Sequence, residues 1–83
     1  MTTEIINIDG SRKKVEGKLS LKQMQETVGG YVEFVRVNMH NKKGCFYLIV
    51  NEEGLLENLP PNRVASEIAK RPIVGTAILT DER

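Results

Sequence analysis

Cys45-Phe46-Tyr47-Leu48-Ile49-Val50-Asn51 is the stretch that most limits what this chain can become. Six consecutive apolar or aromatic residues run from Cys45 to Val50 between Gly44 and Gly54, too few for a helix and rich in β-branched and aromatic types. The run therefore reads as a strand covered on both faces, the central strand of a small sheet. Glu52-Glu53-Gly54 closes it as a turn, and the rest of the chain must supply its neighbours and its cover.

The first neighbours are weaker. Glu4-Ile5-Ile6-Asn7-Ile8 is a short β-branched run ending at Asp9-Gly10, a dipeptide favoured where a hairpin turns with φ > 0. Arg12-Lys13-Lys14-Val15-Glu16 returns as a strand with one apolar residue, which suits an edge whose lysines discourage further pairing. Ser20 and Gln23 have the spacing of a capping box, and Leu21, Met24 and Val28 then recur as one apolar helical stripe that Gly29 terminates. Tyr31 to Asn38 alternates as a strand, with Val32, Phe34 and Arg36 on one face and Glu33, Val35 and Val37 on the other. A short polar connection containing His40 makes it an antiparallel hairpin with the central strand.

After the turn, Leu55-Leu56-Glu57-Asn58-Leu59 reads as a further short strand or as two leucines laid on the core. Pro60-Pro61 fixes an extended backbone, Asn62 is placed to cap a second helix, and Val64, Ala65, Ile68 and Ala69 give that helix one buried side before Pro72 stops it. Ile73 to Thr80 is a last β-rich run, with Gly75 marking a bulge or a close backbone approach. The order ββαββ(β)αβ specifies an α+β domain spanning residues 1–83, a small mixed β-sheet with two helices, β-grasp-like in the return of its last strand to the middle.

At 83 residues such a chain buries only roughly 60% of its unfolded surface, so its stability is expected to be thin. A formal charge of +1 gives no compositional argument for extended nucleic-acid binding. No apolar run approaches the roughly 20 residues that span a bilayer, and Met1-Thr2-Thr3-Glu4 lacks the basic start of a signal peptide, so no membrane partner and a cytosolic location are expected. Cys45 has no second cysteine to pair with and reads as a small buried hydrophobe; with His40 alone beside it, no metal set or cofactor is expected. No nucleophile-base pair or phosphate-cradling glycine loop stands out, which argues against an enzyme.

Four segments, Gly29-Gly30-Tyr31-Val32-Glu33, Val50-Asn51-Glu52-Glu53-Gly54, Leu59-Pro60-Pro61-Asn62-Arg63-Val64-Ala65 and Ile73-Val74-Gly75-Thr76, resemble in order and spacing a family of small uncharacterised proteins of bacteriophages, plasmids and conjugative elements. That resemblance implies a mobile-element accessory protein in a bacterial cytosol, and for such proteins a binding role that counters host defence. The polar residues interrupting these motifs, together with one strand aromatic, form the candidate site: Arg63, Tyr31, Asn62, Asn51, Glu33 and Tyr47. Arg63 at a helix start suits phosphate, and Tyr31 or Tyr47 suits a base, so the first expectation is sequestration of a nucleotide signal. Caps, turns and strand aromatics account for the same residues without any ligand. The alternative is an inhibitor or adaptor that binds a host protein; a homo-oligomer would favour the nucleotide reading, because a site between subunits can enclose what one small domain cannot.

Overall fold

The computed structural model describes residues 2–38 and 46–81. The expectations for His40 and Cys45 lie outside them. The elements are β1 (Thr2–Ile6), β2 (Arg12–Glu16), α1 (Leu21–Val28), β3 (Val32–Val37), β4 (Phe46–Asn51), α2 (Arg63–Ala69) and β5 (Ala77–Asp81). The strands form one sheet in the order β2-β1-β5-β4-β3. β4 is covered on both faces as expected, with Leu48, Ile49, Val50 and Asn51 all buried, but the central position belongs to β5 and β4 lies beside the edge strand β3. Val35, Val37, Leu48, Val50, Ala77 and Leu79 point to a core shared with Ala65, Val64 and Ile68 of α2. Ile49 and Ile78, one residue out of step, face Val28 and Met24 of α1. Because strand side chains alternate, the two helices cover opposite faces of the sheet.

The sheet differs from the expected one in a decisive respect: β1 with β2, β1 with β5, β3 with β4 and β4 with β5 all pair antiparallel. The last strand lies in the middle of the sheet, but it runs antiparallel to both neighbours, so the sheet is not mixed. The cause is the segment between β4 and β5. The Asn62 N–H donates to the Ile73 oxygen at 2.8 Å, the Gly75 N–H donates to the Pro60 oxygen at 2.7 Å, and Pro61 bridges Val74. These contacts pinch the two ends of the α2 segment together, so the chain leaves β4 and enters β5 at the same end of the sheet. A parallel strand would need the connection to cross to the opposite end.

The same pinch shortens the last strand. The Ile73 oxygen and both backbone groups of Gly75 are spent on residues 60–62, and Gly75, at φ 78°, breaks the extended run, so β5 begins only at Ala77. A Cβ on Gly75 would lie 2.8 Å from Leu59 Cδ1, the close approach its sequence position suggested.

Both helix starts follow the local code. Ser20 Oγ accepts from the Gln23 N–H at 3.1 Å while Gln23 Oε1 accepts from the Ser20 N–H at 2.8 Å, and Gly29 closes α1 at φ 84°. Leu21 departs from the expected stripe: it is exposed, and Leu19 from the preceding segment joins Met24 and Val28 over Ile49 and Ile78 instead. At the first hairpin only Gly10 takes positive φ, and the Asn7 N–H reaches the Ser11 oxygen while the Gly10 N–H reaches the Asn7 oxygen. This is a three-residue loop with the glycine in the bulge position rather than a two-residue turn.

Residues 55–59 form neither a strand nor a core patch. The Leu59 N–H donates to the Gly54 oxygen, the Asn58 N–H donates to the Leu55 oxygen, and Asn58 sits at φ 55°. That pattern is the closing motif of a helix, here wrapped on a single turn. It rotates Leu59 inward against Gly75 and leaves Leu55 and Leu56 in solvent at 73% and 83% exposure.

Candidate functional site

The candidate residues divide by what their side chains already hold. Asn62 is fully buried; its Oδ1 accepts from the Ala65 N–H at 3.0 Å, and its Nδ2 donates to the Ile6 oxygen at 3.0 Å and the Gly75 oxygen at 2.9 Å. Asn51 is likewise buried, with Oδ1 accepting from the Glu53 N–H at 2.7 Å and Nδ2 donating to the Val28 oxygen at 3.1 Å and to Glu57 Oε1 at 3.3 Å. Both amides are committed to protein partners, although Asn51 also borders the groove that Glu33 lines. Asn62 welds α2 to β1 and to the approach to β5; Asn51 joins the end of β4 to the last carbonyl of α1 and starts the leucine turn.

The remaining four lie in separate places. Arg63 is exposed on a groove with Ile8, Asp9, Gly10, Pro61 and Val64, so an acidic side chain shares its surroundings. The hydroxyl and backbone N–H of Ser11 donate to Asp9 Oδ1 at 2.7 and 2.9 Å and hold the Asp9 carboxyl below its usual range, so it is an anion at neutral pH. Glu33 lines a second groove with Glu52, Glu53, Leu55, Leu56 and Arg71. Tyr31, 68% exposed, lines a third with Gln25, Gly30, Glu53 and Glu57. Tyr47 lies on the face that carries α1, its ring meeting Phe34 edge to face at 6.4 Å and 77°.

The expected convergence is half met. The start of β3 and the end of β4 do adjoin, since the Glu52 N–H donates to the Tyr31 oxygen at 2.8 Å and Val32 pairs with Asn51. The start of α2 is tied elsewhere, to Ile6 and Gly75, and Arg63 opens onto the β1–β2 loop. None of these three grooves brings Arg63 together with either tyrosine. The two grooves beside Tyr31 and Glu33 share Glu53; carboxylates dominate both, with Arg71 the one cation in the Glu33 groove, so the balance of charge disfavours a phosphate.

Sequence reasoning missed Leu55 and Leu56. Two adjacent leucines signal burial, and only the orientation of a turn closed by Asn58 turns both outward. Among the described residues no group of three or more His, Cys, Asp and Glu is placed to hold a metal ion, and no helix is long and apolar enough to cross a membrane.

Fold and surface together define a small α+β domain, an antiparallel sheet between two short helices with an apolar turn at one end. The chain belongs to the family described as Domain of unknown function (DUF3846), whose model matches residues 1–83. No curated protein and no solved structure matches it.

Proposed function

We propose that this protein is a non-catalytic binding module whose target is another protein, engaged through the turn that carries Leu55 and Leu56. The supporting observation is their exposure on a turn held by four backbone hydrogen bonds: the Gly54 N–H donates to the Asn51 oxygen and the Glu57 N–H to the Glu53 oxygen, in addition to the closing bonds at Asn58 and Leu59. An ordered turn presenting large apolar side chains loses little conformational freedom on docking. Glu33, Glu52, Glu53 and Glu57 surround the leucines and Tyr31, so the complementary surface is an apolar pocket with a basic rim. In keeping with the resemblance to mobile-element proteins, the setting is a bacterial cytosol and the target a host protein, whose inhibition or recruitment would serve the element.

Nucleotide sequestration is the competing reading, and Arg63 separates the two. The test is retention of a host protein from bacterial lysate on immobilised wild type, on Leu55→Asp/Leu56→Asp and on Arg63→Ala, with calorimetry of the same three proteins against a nucleotide panel. A protein held by wild type and Arg63→Ala but released by the leucine variant supports the proposal. Nucleotide binding that disappears in Arg63→Ala, with no such protein retained, replaces it with sequestration.

A further inference from the structure

The two edges of the sheet are built differently. β2, at one edge, carries Arg12, Lys13 and Lys14, a row of cations that discourages strand pairing. β3, at the other, reads Val32-Glu33-Phe34-Val35-Arg36-Val37, has no lysine, and leaves Phe34 at 49% exposure. Among the described residues no strand pairs with its outer side.

The hydrogen-bonding phase of that edge follows from its inner partner. The Glu52 N–H donates to the Tyr31 oxygen, and the β3–β4 register runs unbroken from Val32 opposite Asn51 to Val37 opposite Phe46. Since backbone groups alternate along an antiparallel strand, Glu33, Val35 and Val37 point toward β4, and Val32 and Phe34 point their N–H and C=O outward. The Phe34 backbone thus presents a donor and an acceptor at the middle of an apolar edge, with its half-exposed ring beside Tyr47 on the same sheet face.

We infer that the β3 edge is an interface for a second copy of this chain, the two β3 strands pairing antiparallel about a twofold axis at Phe34. Like charges exclude two of the neighbouring registers, and the outward-facing backbone and half-exposed ring of Phe34 favour this one over a twofold at Val35, which would separate the two rings. A twofold at Glu33 would set glutamate against glutamate, and one at Arg36 would set arginine against arginine, both destabilising as directly opposed like charges. A twofold at Phe34 sets ring against ring, Glu33 against Val35 and Val32 against Arg36, with no like charges opposed. The phenylalanines then join the two Phe34–Tyr47 pairs into one aromatic cluster across the axis, the kind of cross-strand pairing that stabilises sheets. The small net charge of +1 opposes association only weakly. This interface does not use the leucines, which lie on the loop after β4, and it meets their groove only at Glu33.

The experiment is sedimentation of the wild-type protein from about 1 μM to 1 mM, the affinity range of modest contacts, beside Phe34→Lys and the opposite-edge variant Lys13→Val. Reversible dimerisation in wild type and Lys13→Val, lost in Phe34→Lys, is the expected result. Wild type that stays monomeric throughout the series, or dimers that persist in Phe34→Lys, overturns it. Amide hydrogen exchange on the unmutated protein supplies a check that does not depend on a variant folding. The Phe34 N–H should gain protection as concentration rises, while the Val35 N–H, already facing β4, should not. Equal behaviour of the two amides also overturns the inference.

Discussion

Asn62 Nδ2 donates to the Ile6 carbonyl across 3.0 Å, joining the first turn of α2 to the end of β1 fifty-six residues earlier in the chain. The same amide nitrogen serves Gly75, and the amide oxygen caps the helix, so one buried side chain satisfies backbone groups on three segments. Asn62→Ala should therefore destabilise the fold by about 3 kcal/mol or more, from two stranded carbonyls at about 1–3 kcal/mol each and a lost cap at about 1 kcal/mol. That is a large share of the roughly 5–15 kcal/mol that holds a domain together. Asn62→Asp separates the roles: a carboxylate still accepts from Ala65 but cannot donate to Ile6 or Gly75 and faces both carbonyls with negative charge. Its urea midpoint should fall at least as far as that of Asn62→Ala. An Asp variant near wild type would mean that the cap alone matters.

The cap was legible in sequence and the weld was not. A side chain that caps its own helix needs only residues three apart, and the same locality made Ser20, Gln23 and Gly29 readable as the ends of α1. The partner at Ile6 is set by the pinch between residues 60–62 and 73–75, a long-range arrangement without local periodicity. That pinch also decides that β5 runs antiparallel to β4, which is why the element order could be read while the wholly antiparallel pairing could not. Asn51 was readable as a turn residue, since its oxygen does accept from Glu53, but its bond to Val28 depends on where α1 docks. Residue type gave no sign that Leu55 and Leu56 point outward, because that follows from the left-handed Asn58 further along the turn.

Ser20→Ala removes the acceptor for the Gln23 N–H at an exposed helix start. The expected loss is about 1 kcal/mol, with no change in the denaturant slope because the surface exposed on unfolding is unaltered. Equilibrium urea denaturation measures both. An unchanged midpoint would show that the reciprocal bond from the Ser20 N–H to Gln23 holds the helix start by itself.

Asp9 gives the β1–β2 loop a pH dependence. Hydrogen bonds from the Ser11 hydroxyl and, secondarily, the Ser11 backbone lower its pKa from 3.8, so the folded state binds fewer protons than the unfolded state just below that value. Its contribution to stability is fully present above the unfolded pKa and is lost as pH falls through the lowered folded value. The melting-temperature difference between wild type and Asp9→Ala should be constant from neutral pH down to mildly acidic conditions and then shrink as the carboxylate protonates. A difference that does not change across that range would place the benefit in loop geometry instead of charge.

Asn51→Ala tests whether the exposed leucine turn is organised from within. The substitution strands the buried Val28 carbonyl, at about 1–3 kcal/mol, and removes the acceptor that fixes the Glu53 N–H. It also opens space beside Gly30, whose missing Cβ would lie 3.0 Å from Asn51 Nδ2. A global loss alone would speed exchange at every core amide by one factor. Release of the turn adds a local opening, so the Glu57 and Leu59 N–H groups, bonded to Glu53 and Gly54, should lose more protection than the Ile49 N–H in the sheet. If a protein target is held by Leu55 and Leu56, Asn51→Ala should weaken its binding even at temperatures where the variant is fully folded, because the leucines then lose conformational freedom only on docking. Uniform exchange with unchanged affinity would reduce Asn51 to a fastener of α1.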